Sequence, residues 1–202
     1  SESRRSPFEM ARNTAEAAEA QMKRIIVGLI LISAALNGTE PAFRQLEKIY
    51  PPELPTVNIP LALREQNWGG GSCVWASTIP LLRWQGRNDL ADEVRKTYSG
   101  GEYPEDHNAK MDKLGIKYAY TTKGDVGFLE WALKTRRGAG VTVMGGAPMV
   151  DLVALDSKYA CLLDNNHIDK FLWIPRETFL AEWKSSYGWA VTPVYSPTAP
   201  LP

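Results

Sequence analysis

Gln66-Asn67-Trp68-Gly69-Gly70-Gly71-Ser72-Cys73-Val74-Trp75-Ala76-Ser77 is the stretch of this chain best equipped to do chemistry. A glycine-rich turn delivers Cys73 to the start of an apolar run, Cys73 to about Gly86, that reads as a helix. A helix N-terminus carries partial positive charge and free N–H groups. Both favour a thiolate, and the N–H groups can hold a developing oxyanion together with a side-chain amide from Gln66 or Asn67. The same pattern also suits a buried structural cysteine behind a turn. Two further places carry suitable groups. Asp164-Asn165-Asn166-His167 follows the apolar run Tyr159–Leu163, and His107 closes the stretch Gly100–His107, which reads as a loop. With only two cysteines and two histidines, a disulfide scaffold and a Cys/His zinc site are excluded, and no metal or cofactor is expected.

The elements that would position these groups divide the chain in two. From Cys73 onward the first half reads as helical, and Asp125–Leu133 is a further helix ending in the basic turn Lys134–Arg137. The second half reads as strands at Gly140–Met144, Val150–Leu155, Tyr159–Asp164 and Phe171–Ile174, a helix at Pro175–Trp183, and a last strand at Ala190–Tyr195. Pro80 falls inside the Cys73 helix, where its missing N–H removes a hydrogen bond. Cys161 alternates inward on its strand and is expected in the core, as are Trp75, Trp84, Trp131 and Trp183, which are core or cleft walls.

The chain has 202 residues, enough for one domain and an appendage, with 23 basic and 23 acidic side chains. Zero formal charge argues against a nucleic-acid partner bound through phosphates. Residues 1–38 are the appendage. Ser6-Pro7-Phe8-Glu9 is a helix start, and Asn37-Gly38 a stop. Within them Ile25–Leu36 is twelve residues without a charge, preceded by Lys23 and Arg24. It reads as an export signal, an anchor or a helix covered by another chain, and twelve residues fall short of the ~20 that cross a bilayer. As an anchor, with Arg4, Arg5, Arg12, Lys23 and Arg24 on its N-terminal side, it would place the body outside the cytoplasm. Residues 39–59 read as a Pro-rich linker, 60–195 as the body, and 196–202 as a Pro-rich tail.

A helical half opening with Gln…Gly-Gly-Ser-Cys, followed by an antiparallel sheet half, resembles the papain-like cysteine peptidases. The likeness is nearest to the small bacterial branch that trims double-glycine leaders. Ala76, three residues after Cys73, and Ile174-Pro175-Arg176-Glu177-Thr178-Phe179-Leu180-Ala181-Glu182-Trp183 both match that branch. The resemblance implies an α+β fold, a peptide ligand in a cleft near Cys73, and a triad of Cys, His and an Asn or Asp about sixteen residues after the His. On that pattern Cys73 is the nucleophile, and Asp164 or Asn165 is the third member. Sixteen residues before Asp164 stands Pro148, and sixteen before Asn165 stands Met149. Neither has a base. The family's oxyanion Gln stands six residues before the Cys, where this chain has Asn67, with Gln66 one further back.

Three readings follow. The first is a catalytically impaired papain-like module, with Pro148 in the histidine slot, that binds or assembles at a membrane or in a complex through Ile25–Leu36. In the second, an active thiol hydrolase uses Cys73, His167 as base, Asp164 or Asn165 as orienter and Gln66 or Asn67 at the oxyanion. The third is a structural subunit in which Cys73 is buried away from any cleft.

Overall fold

A cysteine helix laid against an antiparallel sheet is the organising contact of the molecule. The computed structural model describes residues 54–146 and 148–195. The expectations for residues 1–38, most of the linker and the Pro-rich tail lie outside the described residues. The body is a compact unit beginning at Glu53.

The helical half holds α1 (Cys73–Trp84), α2 (Asn88–Thr97) and α3 (Pro104–Lys113). Eleven of the twelve residues of α1 are buried, so this helix is the core of its half rather than a surface element. It runs through Pro80 without ending there. Far more polar are α2 and α3, which bury only Ala91 and Val94, and His107 and Met111. Gly100–His107 was expected as a loop; instead α3 begins at Pro104, which takes the first helical turn, where its missing N–H is harmless.

The sheet half holds β1 (Tyr118–Thr121), α4 (Val126–Lys134), β2 (Ala139–Thr142), β3 (Met149–Leu155), β4 (Tyr159–Leu163), β5 (Leu172–Pro175), α5 (Arg176–Ser185) and β6 (Ala190–Pro193). The six strands form one antiparallel sheet in the order β1-β6-β2-β3-β4-β5. Asp125 caps α4 by accepting from Gly127 N. The strands β2, β3 and β4 are buried nearly throughout, because α1 covers one face while α4 and α5 contact the same strands.

A bulge between Leu152 and Ala154 interrupts the β3–β4 ladder, and Val57 N donates to the freed Val153 carbonyl at 2.9 Å. Val57 and Ile59 are fully buried there. The expected linker 39–59 therefore gives way, over its last residues, to a strap built into the core. Cys161 is buried in a reduced state, and burial pushes its thiol up beyond the ordinary cysteine range. Trp75, Trp84 and Trp183 are core, whereas Trp131 is exposed beside Phe128 and Arg137.

Candidate functional site

Gly69, Gly70 and Gly71 all take positive φ, which lets the chain turn sharply into α1. The turn is pinned by Asn67. Its Oδ1 accepts from Gly69 N (3.0 Å) and from Ser72 Oγ (2.6 Å), while its Nδ2 donates to Asn166 Oδ1 (3.1 Å). Upstream, Glu65 pairs with Arg83 (2.8 Å) and Arg95 (2.5 Å) and accepts from Trp68 Nε1. Asn67 is thus a tie within the loop, with its amide already engaged. Gln66 is exposed and reaches only the Asn166 carbonyl, at 3.5 Å. Both amides lean on Asn166 through one N–H each.

Cys73 opens α1 as the sequence predicts, but it is only 7% exposed, and its thiol lies 3.6 Å from the Gly71 carbonyl. Gly71, two residues before it, and Val74, the next residue, line a cleft of about 360 Å³ together with Gly101, Glu102, Tyr103 and Gly146. One wall therefore comes from the helical half and the other from the turn that precedes β3. Gly71 and Gly101 are in backbone contact: a Cβ on Gly71 would lie 2.8 Å from Gly101 Cα.

Asn165 is the group that turns inward. It is almost fully buried, and its Nδ2 donates to the Met149 carbonyl (2.7 Å), Ser77 Oγ (2.9 Å) and the Cys73 carbonyl (3.1 Å). Ser77 Oγ in turn donates to the Met149 carbonyl at 3.1 Å. Asp164 does something else: its Oδ1 accepts from Asn166 N and Nδ2 within the turn. His167 is exposed in the same turn, its backbone N–H donating to the Asp164 carbonyl. The structure thus brings Cys73 and Asn165 together, and leaves Asp164 and His167 serving the turn.

The β3–β4 register ends at the pair Asp151–Leu163, and two residues beyond it stand Met149 and Asn165, joined by the bond from Asn165 Nδ2 to the Met149 carbonyl. The position facing the third member is therefore Met149, where the sequence reading had placed Pro148. Met149 is fully buried in the same apolar cluster as Cys73, Trp75 and Trp189. Its methyl lies over Gly140, where a Cβ would come within 1.9 Å of it. Asn165 Oδ1 is buried with no hydrogen-bond partner among the described residues. In a papain-type triad the third member's amide oxygen accepts from the histidine ring N–H.

The histidine that does pack on α1 lies on its other side. His107 is fully buried, with its ring 4.7 Å from Trp75 and 5.5 Å, edge-on, from Trp189. Thr78 Oγ1 gives its single proton to the Val74 carbonyl at 2.8 Å, so His107 Nε2, 2.9 Å away, must be the donor to Thr78. Burial lowers the His107 pKa to about 4, with nearby Lys110 acting the same way and Asn108 opposing. The sequence reading placed His107 in a loop because the polar composition of residues 104–113 hides a helix. Beneath the site, Asp151 is buried and its Oδ1 has no partner among the described residues; burial alone raises its pKa well above the carboxylate range. Among the described residues no cluster of side chains suits a metal ion.

A cysteine at a helix start, an inward Asn just past β4 and a cleft between helices and an antiparallel sheet describe an α+β scaffold of papain-like fold. A solved structure shares that fold. Over 71% of this chain and 98% of the other, the fold is similar to a C39-like peptidase from Bacillus anthracis, with TM-score 0.54 and 14% identity. The chain also resembles, more distantly, a double-glycine motif protease from an AMS/PCAT transporter in complex with its leader peptide (TM-score 0.42, 16% identity, covering 64% of this chain and 89% of that one). The peptidase domain of Streptococcus mutans ComA, in complex with a small-molecule inhibitor, gives TM-score 0.44 at 18% identity, covering 64% and 97%. No protein-family profile matches the chain, and no curated protein does.

Proposed function

We propose that this chain is a C39-peptidase-like module that has lost efficient cleavage and uses the cleft beside Cys73 to bind peptide. One observation carries the reading. The position opposite Asn165 is Met149, which has no base, while Asn165 Oδ1 is left without a donor among the described residues. A methionine at that position supplies no general base, and the loss of a general base costs roughly 10²–10⁴ in rate. The cleft itself persists, with Gly71 and Val74 flanking Cys73 on its wall, so peptide can still be held where it is no longer cut.

The module acts at a membrane or in a larger assembly, outside the cytoplasm, with Ile25–Leu36 covered by lipid or another chain. The support for this is the charge-free run after Lys23 and Arg24. Among the described residues no helix is long and apolar enough to cross a membrane.

The test is to restore the base. Met149→His should make Cys73 alkylate faster with a thiol-directed probe at neutral pH, whereas Pro148→His should not. A parent chain whose Cys73 already reacts like an activated thiol, or a Met149→His chain no faster than the parent, would overturn the reading.

A further inference from the structure

Two large apolar residues beside the cleft are held out to solvent on a backbone that disfavours them. Tyr187 has φ +71° and is 72% exposed; Met144 has φ +51° and is 55% exposed. Left-handed backbone costs a non-glycine residue stability, and neither side chain recovers it through burial. The geometry is also firmly held. Met144 N donates to Glu182 Oε1 (2.6 Å), Gly145 N to Ser186 Oγ (2.9 Å), and Thr142 Oγ1 to the Ser186 carbonyl (2.7 Å). The Tyr187 ring lies over Gly146, where a Cβ would come within 2.6 Å of it, and Gly146 lines the cleft. The opposite rim is acidic and aromatic. Tyr103 is 79% exposed, Glu102 lines the cleft while pairing with Lys110, and Glu105 and Asp106 follow, both exposed, on the first turn of α3.

We propose that Tyr187 and Met144 form a rigid platform that seats an apolar side chain of an extended peptide, and that this peptide carries a neighbouring basic residue directed to the exposed carboxylates Glu105 and Asp106. The proposal rests on the reading of the cleft as a peptide site and adds the chemistry of the occupant. An apolar contact alone would accept any greasy segment; the carboxylates across the cleft select against acidic ones and steer basic ones in. The platform is preorganised, so the peptide bears most of the ordering entropy.

The test uses the full chain and three fluorescein-labelled octapeptides, alternating Leu/Lys, Leu/Glu and Ser/Lys, read by fluorescence polarisation. The Leu/Lys peptide should bind at least about tenfold more tightly than either control. Tyr187→Gly and Met144→Gly should each weaken it by about tenfold, while the melting temperature holds or rises, because glycine is at ease at positive φ. That separation distinguishes a display residue from a structural one. Equal binding of the Leu/Glu or Ser/Lys peptide, or glycine variants that bind like the parent, would overturn the platform. Should those peptides bind and be lost on Tyr103→Ser, the cleft reading survives its failure. Should none of the three bind, the platform fails, and the cleft reading stands or falls on the Met149→His test.

Discussion

The two polar contacts that grip α1 are alike in construction and opposite in meaning. Towards the sheet, Asn165 ties the helix to β3 through Cys73, Ser77 and Met149. Towards α3, His107 ties it through Thr78, between two tryptophans. The first lies where the resemblance implies a triad, with Met149 on its β3 side. The second holds an imidazole whose Nε2 donates to Thr78. The chain thus packs a cysteine, an asparagine and a histidine around one helix, with the histidine on a different contact from the one that joins Cys73 to Asn165. Chemistry follows from which face each group occupies, and residue type alone does not decide it.

That contrast can be broken from the sheet side first. Asn165→Ala should be the most damaging single change, because it removes the buried donor shared by the Met149 carbonyl, Ser77 Oγ and the Cys73 carbonyl. At about 0.5–1.5 kcal/mol for each buried hydrogen bond, a loss of up to roughly 4 kcal/mol is expected in urea unfolding. A loss below about 1 kcal/mol would show that the tie is replaceable and the sheet-side contact incidental.

The α3 side responds to pH. The unfolded chain protonates His107 near 6.5, whereas the folded chain resists until about 4. The unfolded state therefore binds more protons between those values. Stability is full above about pH 6.5 and falls on acidification towards pH 4, by about 3 kcal/mol at the bottom of the window. Unfolding measured at pH 7 and at pH 4.5 should show a drop that shrinks in His107→Gln. An unchanged pH dependence in that variant would mean that the ring is not buried in its neutral form.

Asp151 offers a smaller effect of the opposite sign. Its folded pKa is raised, so its neutral form is compatible with the core below the unfolded value near 3.8, and stability is lost as pH rises above that value. Asp151→Asn should therefore stabilise the chain at pH 7 by about 1–2 kcal/mol, and the gain should vanish near pH 3. Destabilisation at pH 7 instead would mean that the carboxylate has a partner supplied from outside the described residues.

Much of the fold is legible in the sequence, and the reasons are specific. The helix of Cys73 follows from an uninterrupted apolar run behind glycines, and β2 to β6 from short apolar runs set between turn residues. The elements that escape are the polar ones. With two buried residues each, α2 and α3 leave little periodic signal, and β1 is a four-residue edge strand. At the candidate site the sequence leaves two pairs open. Spacing proposes both Asp164 with Pro148 and Asn165 with Met149, and a shift of one residue reverses the face on which a strand side chain lies. Only the β3–β4 register and the inward amide of Asn165 select the second pair.

The central claim is tested most directly by asking whether the intact chain cuts peptide at all. A degenerate peptide library incubated with the parent chain and with Cys73→Ala, and followed by mass spectrometry, answers it. The account predicts no product that distinguishes the two proteins, whereas products formed by the parent and absent with Cys73→Ala would contradict it.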